Sequence, residues 1–239
     1  MKKYVPHAHP FIIYKATGYE YAVAYRHLID EYRYCHWIKQ TNFRYDVMNL
    51  LCADTTAFLT DDDVFVNHYR PGTDEYNEFI RNDKIACLSL RLHPNVTYSY
   101  TKDIPLEPPQ FTPGRMRIFT WQGRKSYWGY PMSVDGHIFK TEDLNMTLSA
   151  IDFNNPNELE GMMAADPIDR PQMICYDKPK IINIPLNLVN DTVNNRNMQW
   201  DAMKMNDRFM NGYRLQIDVP QDLDSCHMEI IPKWVKAYT

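Results

Sequence analysis

TTAFLTDDDVFV, residues 55–66, sets an apolar, strand-like run against three adjacent aspartates and then a second apolar run. Like charges a few ångströms apart repel by about 1 kcal/mol in water and by several times more in a lower dielectric. Asp61, Asp62 and Asp63 therefore cost stability between nearly buried flanks unless a cation or cationic ligand relieves them. A solvated turn or helix cap accounts for DDD alone equally well; the flanking FLT and VFV favour a site.

Working outward, the chain alternates strand and helix signals. PFIIY (10–14) is a short apolar run, and YEYAVAYRHLIDEY (19–32) carries Tyr21, Ala22, Tyr25, Leu28 and Ile29 at helical spacing. CHWIKQ (35–40) predicts a second strand, RYDVMNLLC (44–52) a second helix and TTAFLT (55–60) a buried third strand ending at the aspartates. Such alternation implies an α/β sheet with parallel strands, and ligand sites in such sheets lie beyond the carboxyl ends of the strands, where the aspartates fall. Further on, 74–82 predicts a helix and IACLSLRL (85–92) a strand. A long Pro-rich stretch covers 93–117, and strands are expected at 117–121 and 136–139, the latter followed by a helix. Asn155 and Pro156 open another helix as N-cap and first residue. A strand at 180–189, a polar loop at 191–197 and a helix at 201–213 stopped by Gly212 complete the reading.

The composition excludes several classes. With 239 residues, a net charge of −4 and 23% charged residues, the chain lacks the basic excess that neutralises a nucleic-acid backbone. Its length suits one domain, 1–239. Five scattered cysteines with no CxxC pair indicate neither a zinc site nor a disulfide framework, so reduced thiols and a cytoplasmic setting are expected. The N-terminus has no apolar stretch of signal-peptide length, and no transmembrane run occurs.

FLTDDDVF resembles the acidic DxD motif that closes an apolar strand in glycosyltransferases of the GT-A fold, family-2-like enzymes that use nucleotide-sugars. TNFRYDVMNLLCADTTAFLTDDD is similar to that family's loop and helix before the motif. VDGHIFKTEDL resembles its glycine-containing acceptor-side strand, and NPNELEGMM stands where the family places an acidic residue at a helix start. The resemblance spans about residues 10–215. It implies an open mixed sheet flanked by helices, with a donor-binding half at about 10–92 and an acceptor-side half at about 117–215. It further implies transfer of a sugar from a nucleotide-diphosphate sugar to a glycan or other hydroxyl acceptor, with Mn²⁺ or Mg²⁺. Asp63, Asp62 and Asp61 are then the candidate metal ligands, and Asp61 and Asp62 also approach the donor. Glu160, Glu158 and Asp135 are the candidate bases of an inverting reaction, in that order. The family has a further strand and helix before the equivalent of PFIIY; about ten residues precede it here, so recognition of the base is expected to be weak.

Other residues have softer claims. Arg44 and Arg196 are candidates to meet the diphosphate, or else surface arginines. Trp128 and Tyr130, with Trp121, are candidates to stack on a sugar, although core packing accounts for most aromatics. His137 and His227 are candidates for a further metal ligand. Two rival readings are a non-catalytic nucleotide- or carbohydrate-binding module of transferase descent, which would not release diphosphate, and a sugar-phosphate nucleotidyltransferase, whose Gly-rich basic loop is absent from the sequence.

Overall fold

A computed structural model describes residues 1, 3–187 and 196–237. In chain order it contains β1 (Phe11–Tyr14), α1 (Tyr19–Glu31), β2 (His36–Lys39), α2 (Phe43–Met48), β3 (Thr55–Ala57), β4 (Asp63–Phe65), α3 (Asp74–Arg81) and β5 (Ile85–Ser89). β6 (Tyr98–Ser99), β7 (Ile104–Pro105), β8 (Arg117–Thr120), β9 (His137–Lys140), α4 (Thr141–Ser149) and α5 (Pro156–Ala165) follow. The chain then forms β10 (Gln172–Cys175), β11 (Ile181–Asn183), α6 (Ala202–Met210), β12 (Tyr213–Gln216) and β13 (Lys233–Lys236).

The fold is mixed α/β, and its main sheet has five strands in the order β3-β9-β5-β10-β8. β5 and β10 run parallel, whereas β9 is antiparallel to both β3 and β5, and β8 to β10. The expectation of parallel strands thus holds for β5 with β10 and for β1 with β2, but among the described residues β1 and β2 form a separate two-stranded sheet and β3 joins the main sheet through β9. Strands from both the 10–92 and 117–215 stretches share this sheet.

β5 reads IACLS and is buried along its whole length because strands flank it on both sides and packing covers both faces. Alternation sorts its neighbours. Phe119, Phe139, Met173 and Cys175 face one side, where Leu144 and Leu148 of α4 and Leu159 and Met163 of α5 pack. Ile118, Ile138 and Ile174 face the other, with Phe79 of α3 and Ile181. A third apolar cluster, Ile182, Ile184, Leu223 and Ile230, joins β11 to the C-terminal segment.

Several boundaries differ from the sequence reading. The third strand stops at Ala57 rather than Thr60, and the strand expected at 180–189 covers Ile181–Asn183. QMIC in β10, the strand between β5 and β8, was not anticipated. Asn155 does cap α5, accepting the Glu158 amide at 2.9 Å, with Pro156 as first residue. α6 begins after Asp201, whose carboxylate accepts the Lys204 amide, and Gly212 follows its end with φ +80°. The loop expected at 191–197 lies outside the described residues up to 195. Among the described residues no helix is long and apolar enough to cross a membrane, and the five cysteines are unbonded.

One glycine ties the architecture to the acidic cluster. The Gly136 amide donates to Phe58 O at 2.9 Å and its carbonyl accepts Leu90 N at 2.9 Å, so it joins the segment leading to the aspartates with the end of β5. Its φ is +68°, and a Cβ there would lie 1.9 Å from Ile181 Cδ1. Gly136→Ala is expected to destabilise the protein by about 2–4 kcal/mol, combining backbone strain with overpacking. Urea denaturation checks this; a loss below about 1 kcal/mol would mean that Ile181 moves aside freely.

Candidate active site

The same connections bring four segments to one point. Beside Gly136 stands Asp135, and next to Leu90 stands Arg91. The Asp62 carbonyl accepts Ile184 N at 3.0 Å, and Asn183 exchanges backbone bonds with Cys226 and Met228, which delivers His227.

Arg91 is 3% exposed and its Nη1 donates to Asp135 Oδ2 at 3.1 Å. His227 Nε2 lies 3.2 Å from the same oxygen, and its ring stacks on Tyr127 at 5.2 Å. The Arg91 guanidinium also lies over the Tyr127 ring, 5.5 Å from its centre. Burial alone would raise the Asp135 pKa, but the His227 bond and the Arg91 charge hold it well below the usual carboxylate range.

Thr60 connects this carboxylate to the aspartate cluster. Its Oγ1 is 2.7 Å from Asp62 Oδ1 and 3.0 Å from Asp135 Oδ1, and its amide donates to Asp63 Oδ2 at 3.0 Å. A hydroxyl has one hydrogen, so it satisfies one of the two carboxylates and leaves the other oxygen facing it without a proton. Burial, and behind it the charges of Asp135 and neighbouring aspartates, raise both Asp62 and Asp63 above their ordinary pKa.

Glu160 completes the group. Its Oε1 accepts Ser133 Oγ at 2.8 Å and Val134 N at 3.0 Å, which anchors the carboxylate by one oxygen beside Asp135. Burial and then the Asp135 charge raise its pKa. Tyr130 is half-buried nearby, its phenol pushed up to about 12 by burial and by Glu160.

The structure therefore gathers Asp62, Asp63, Asp135, Glu160, Tyr130 and His227, and adds Arg91, which the sequence reading passed over. Asp61 is exposed, and its charge acts on Tyr25 of α1 as well as on Asp62. The remaining candidates make contacts elsewhere. Glu158 is exposed and bonds the Asn154 amide and the Asn154 and Asn155 side chains, a cap at the start of α5. Arg44 donates to the carbonyls of Ile151, Leu148 and Ser149 at the end of α4, where a cation suits the unpaired carbonyls. Trp128 is 1% exposed, edge-on to Phe119, with its indole N–H on Val96 O, so it offers no face to a sugar. Trp121 packs on the same core and donates to Arg170 O. Arg196 bonds Tyr98 and Glu229 and lies over Tyr100 at 4.3 Å. His137 is wholly buried, its Nδ1 3.0 Å from Pro131 O, and burial followed by the Arg91 charge pushes its pKa down to about 3.

Among the described residues no three His, Cys, Asp or Glu side chains form a ready cage for a metal ion. Mg²⁺ and similar hard cations need less, taking one or two carboxylates and filling the remaining positions with water and substrate phosphate. Asp62, with its oxygen contending for the Thr60 hydrogen and Asp63 beside it, fits that requirement. No protein-family model, no curated protein and no solved structure matches this chain.

Proposed function

We propose that the chain is a metal-dependent glycosyltransferase of GT-A type, moving a sugar from a nucleoside-diphosphate sugar to an acceptor hydroxyl with inversion. The observation that carries this reading is the convergence of Asp62, Asp63, Asp135 and Glu160 beyond β3, with Arg91 and His227 as the nearby basic groups. Asp62 and Asp63 would hold Mn²⁺ or Mg²⁺, which when bound offsets the charge of the departing diphosphate. Glu160 takes the proton of the attacking hydroxyl as the new C–O bond forms at the anomeric carbon and the bond to phosphate breaks. Burial and the Asp135 charge raise its pKa, which makes it a stronger base than an ordinary carboxylate. Arg91 and His227 fix Asp135 and so hold the floor of the site. Screening nucleotide-sugars with Mn²⁺ for diphosphate release tests the reading; binding without release would favour a non-catalytic module.

Asp62→Asn separates site from scaffold. The amide donates to Thr60 Oγ1, whose own hydrogen then goes to Asp135, so the contest for one proton ends. The variant is expected to gain about 1 kcal/mol at pH 7 without metal. A carboxyl whose folded pKa is raised binds its proton more readily when folded, so it lowers stability as pH rises through that pKa. The gain should therefore shrink as pH falls towards the ordinary carboxylate pKa. In the same variant the thermal shift given by Mn²⁺ with nucleoside diphosphate should disappear; an undiminished shift would remove Asp62 from the metal site.

A further inference from the structure

On the C-terminal part of the chain, away from the acidic cluster in sequence, Trp200, Asp201, Lys204, Met205, Arg208 and Trp234 line a hollow of about 230 Å³. Trp200 and Trp234 stack at 6.2 Å with 29° between their planes, and Arg208 lies 6.0 Å over Trp234 and 5.6 Å over Tyr213. Neither tryptophan belongs to, or packs against, the three core clusters. Both are half-buried, and their ring contacts among the described residues are with each other and with Arg208. Lys204 and Arg208 stand one turn apart on α6, both exposed, and among the described residues neither forms an ion pair. The Asp201 carboxylate is engaged with the Lys204 amide at the helix start.

We infer that this hollow is a binding site for an acidic sugar, a pyranose carrying a carboxylate, within the acceptor glycan. The inference rests on the transferase reading for the word acceptor and not for the binding. The tryptophan and methionine walls match the C–H face of a sugar ring, as an amphipathic ligand requires. Two cations with no ion-pair partner among the described residues stand at the rim and select for an anion, and a guanidinium receives a carboxylate in two-point fashion. A neutral sugar meets the same walls but gives neither cation a counter-charge.

The test is titration of the tryptophan fluorescence and of the indole N–H resonances with methyl glucuronide, methyl glucoside and acetate, without nucleotide. Methyl glucuronide is expected to bind at least about tenfold more tightly than either control. Arg208→Gln, a change on an exposed side chain, should erase that preference and leave weak binding of both sugars; Trp234→Ala should lose both. Equal affinity for glucuronide and glucoside, binding of acetate as tight as glucuronide, or unchanged preference in Arg208→Gln would each overturn the inference. Glu160→Gln should keep the affinity. Diphosphate release with a neutral acceptor but no glucuronide binding would defeat this site alone, and glucuronide binding without any turnover would defeat the transferase reading alone.

Discussion

On the proposed transferase reading, Glu160→Gln is expected to lower glycosyl transfer by about 10² to 10⁴, the usual contribution of a general base, with donor affinity and thermal stability nearly unchanged. Glutamine keeps an oxygen at the position that accepts Ser133 Oγ and Val134 N, so the anchoring bonds survive while the proton acceptor is lost. The pH profile adds a second readout. Burial and the Asp135 charge raise the Glu160 pKa, so in the parent protein the acid limb of turnover should lie above the ordinary carboxylate range. That limb should vanish from the residual activity of the variant. Activity close to the parent's would move the base to Asp135, whose depressed pKa and bonds to Arg91, His227 and Thr60 make it the weaker candidate.

Arg91→Met should cost about 3 kcal/mol in chemical denaturation, because removing one member of a buried pair strands the other's charge. The estimate sits at the low end for such changes since His227 and Thr60 still serve Asp135. Asp135→Asn in the Arg91→Met background should recover part of the loss, a coupling that a simple packing defect would not show. A folded-state pKa below the unfolded one gives stability that is present above the ordinary carboxylate range and lost as pH falls below that range through the folded-state pKa. The cost of Arg91→Met should accordingly diminish in acid. A loss below about 1 kcal/mol at neutral pH would show that Arg91 is not what compensates Asp135.

Much of the fold was legible because its signals are local. The cap at Asn155 and Pro156, the Gly212 stop and the apolar run of β5 are each set by a few adjacent residues. Strand partners are not local. β3 pairs with β9 across some eighty residues of chain, and nothing in TTA announces an antiparallel neighbour. The site divides in the same way. Glu158 and Glu160 sit two apart on a helix and point to opposite sides, and the Asn155 to Glu158 spacing already marks a cap, so preference for Glu160 was readable. Three consecutive aspartates cannot share one environment on an extended chain, and the structure exposes Asp61 while turning Asp62 and Asp63 inward. Arg91 had a signal that went unused: an arginine between leucines in a buried run needs a charged partner. His227 stands out in the sequence only as a candidate metal ligand, and its place beside Asp135 has no local signal, since the pairing of Asn183 with the C-terminal segment brings it near.

The place of β5 at the centre of the sheet has a consequence for synthesis of the chain. IACLS emerges from the ribosome well before either neighbour exists, because β9 begins at His137 and β10 at Gln172. At about 5–20 residues per second, this largely apolar segment waits on the order of ten seconds before both neighbours are made. An unpaired apolar strand is open to pairing with other chains, so the exposure of β5 lasts until Cys175 has been added.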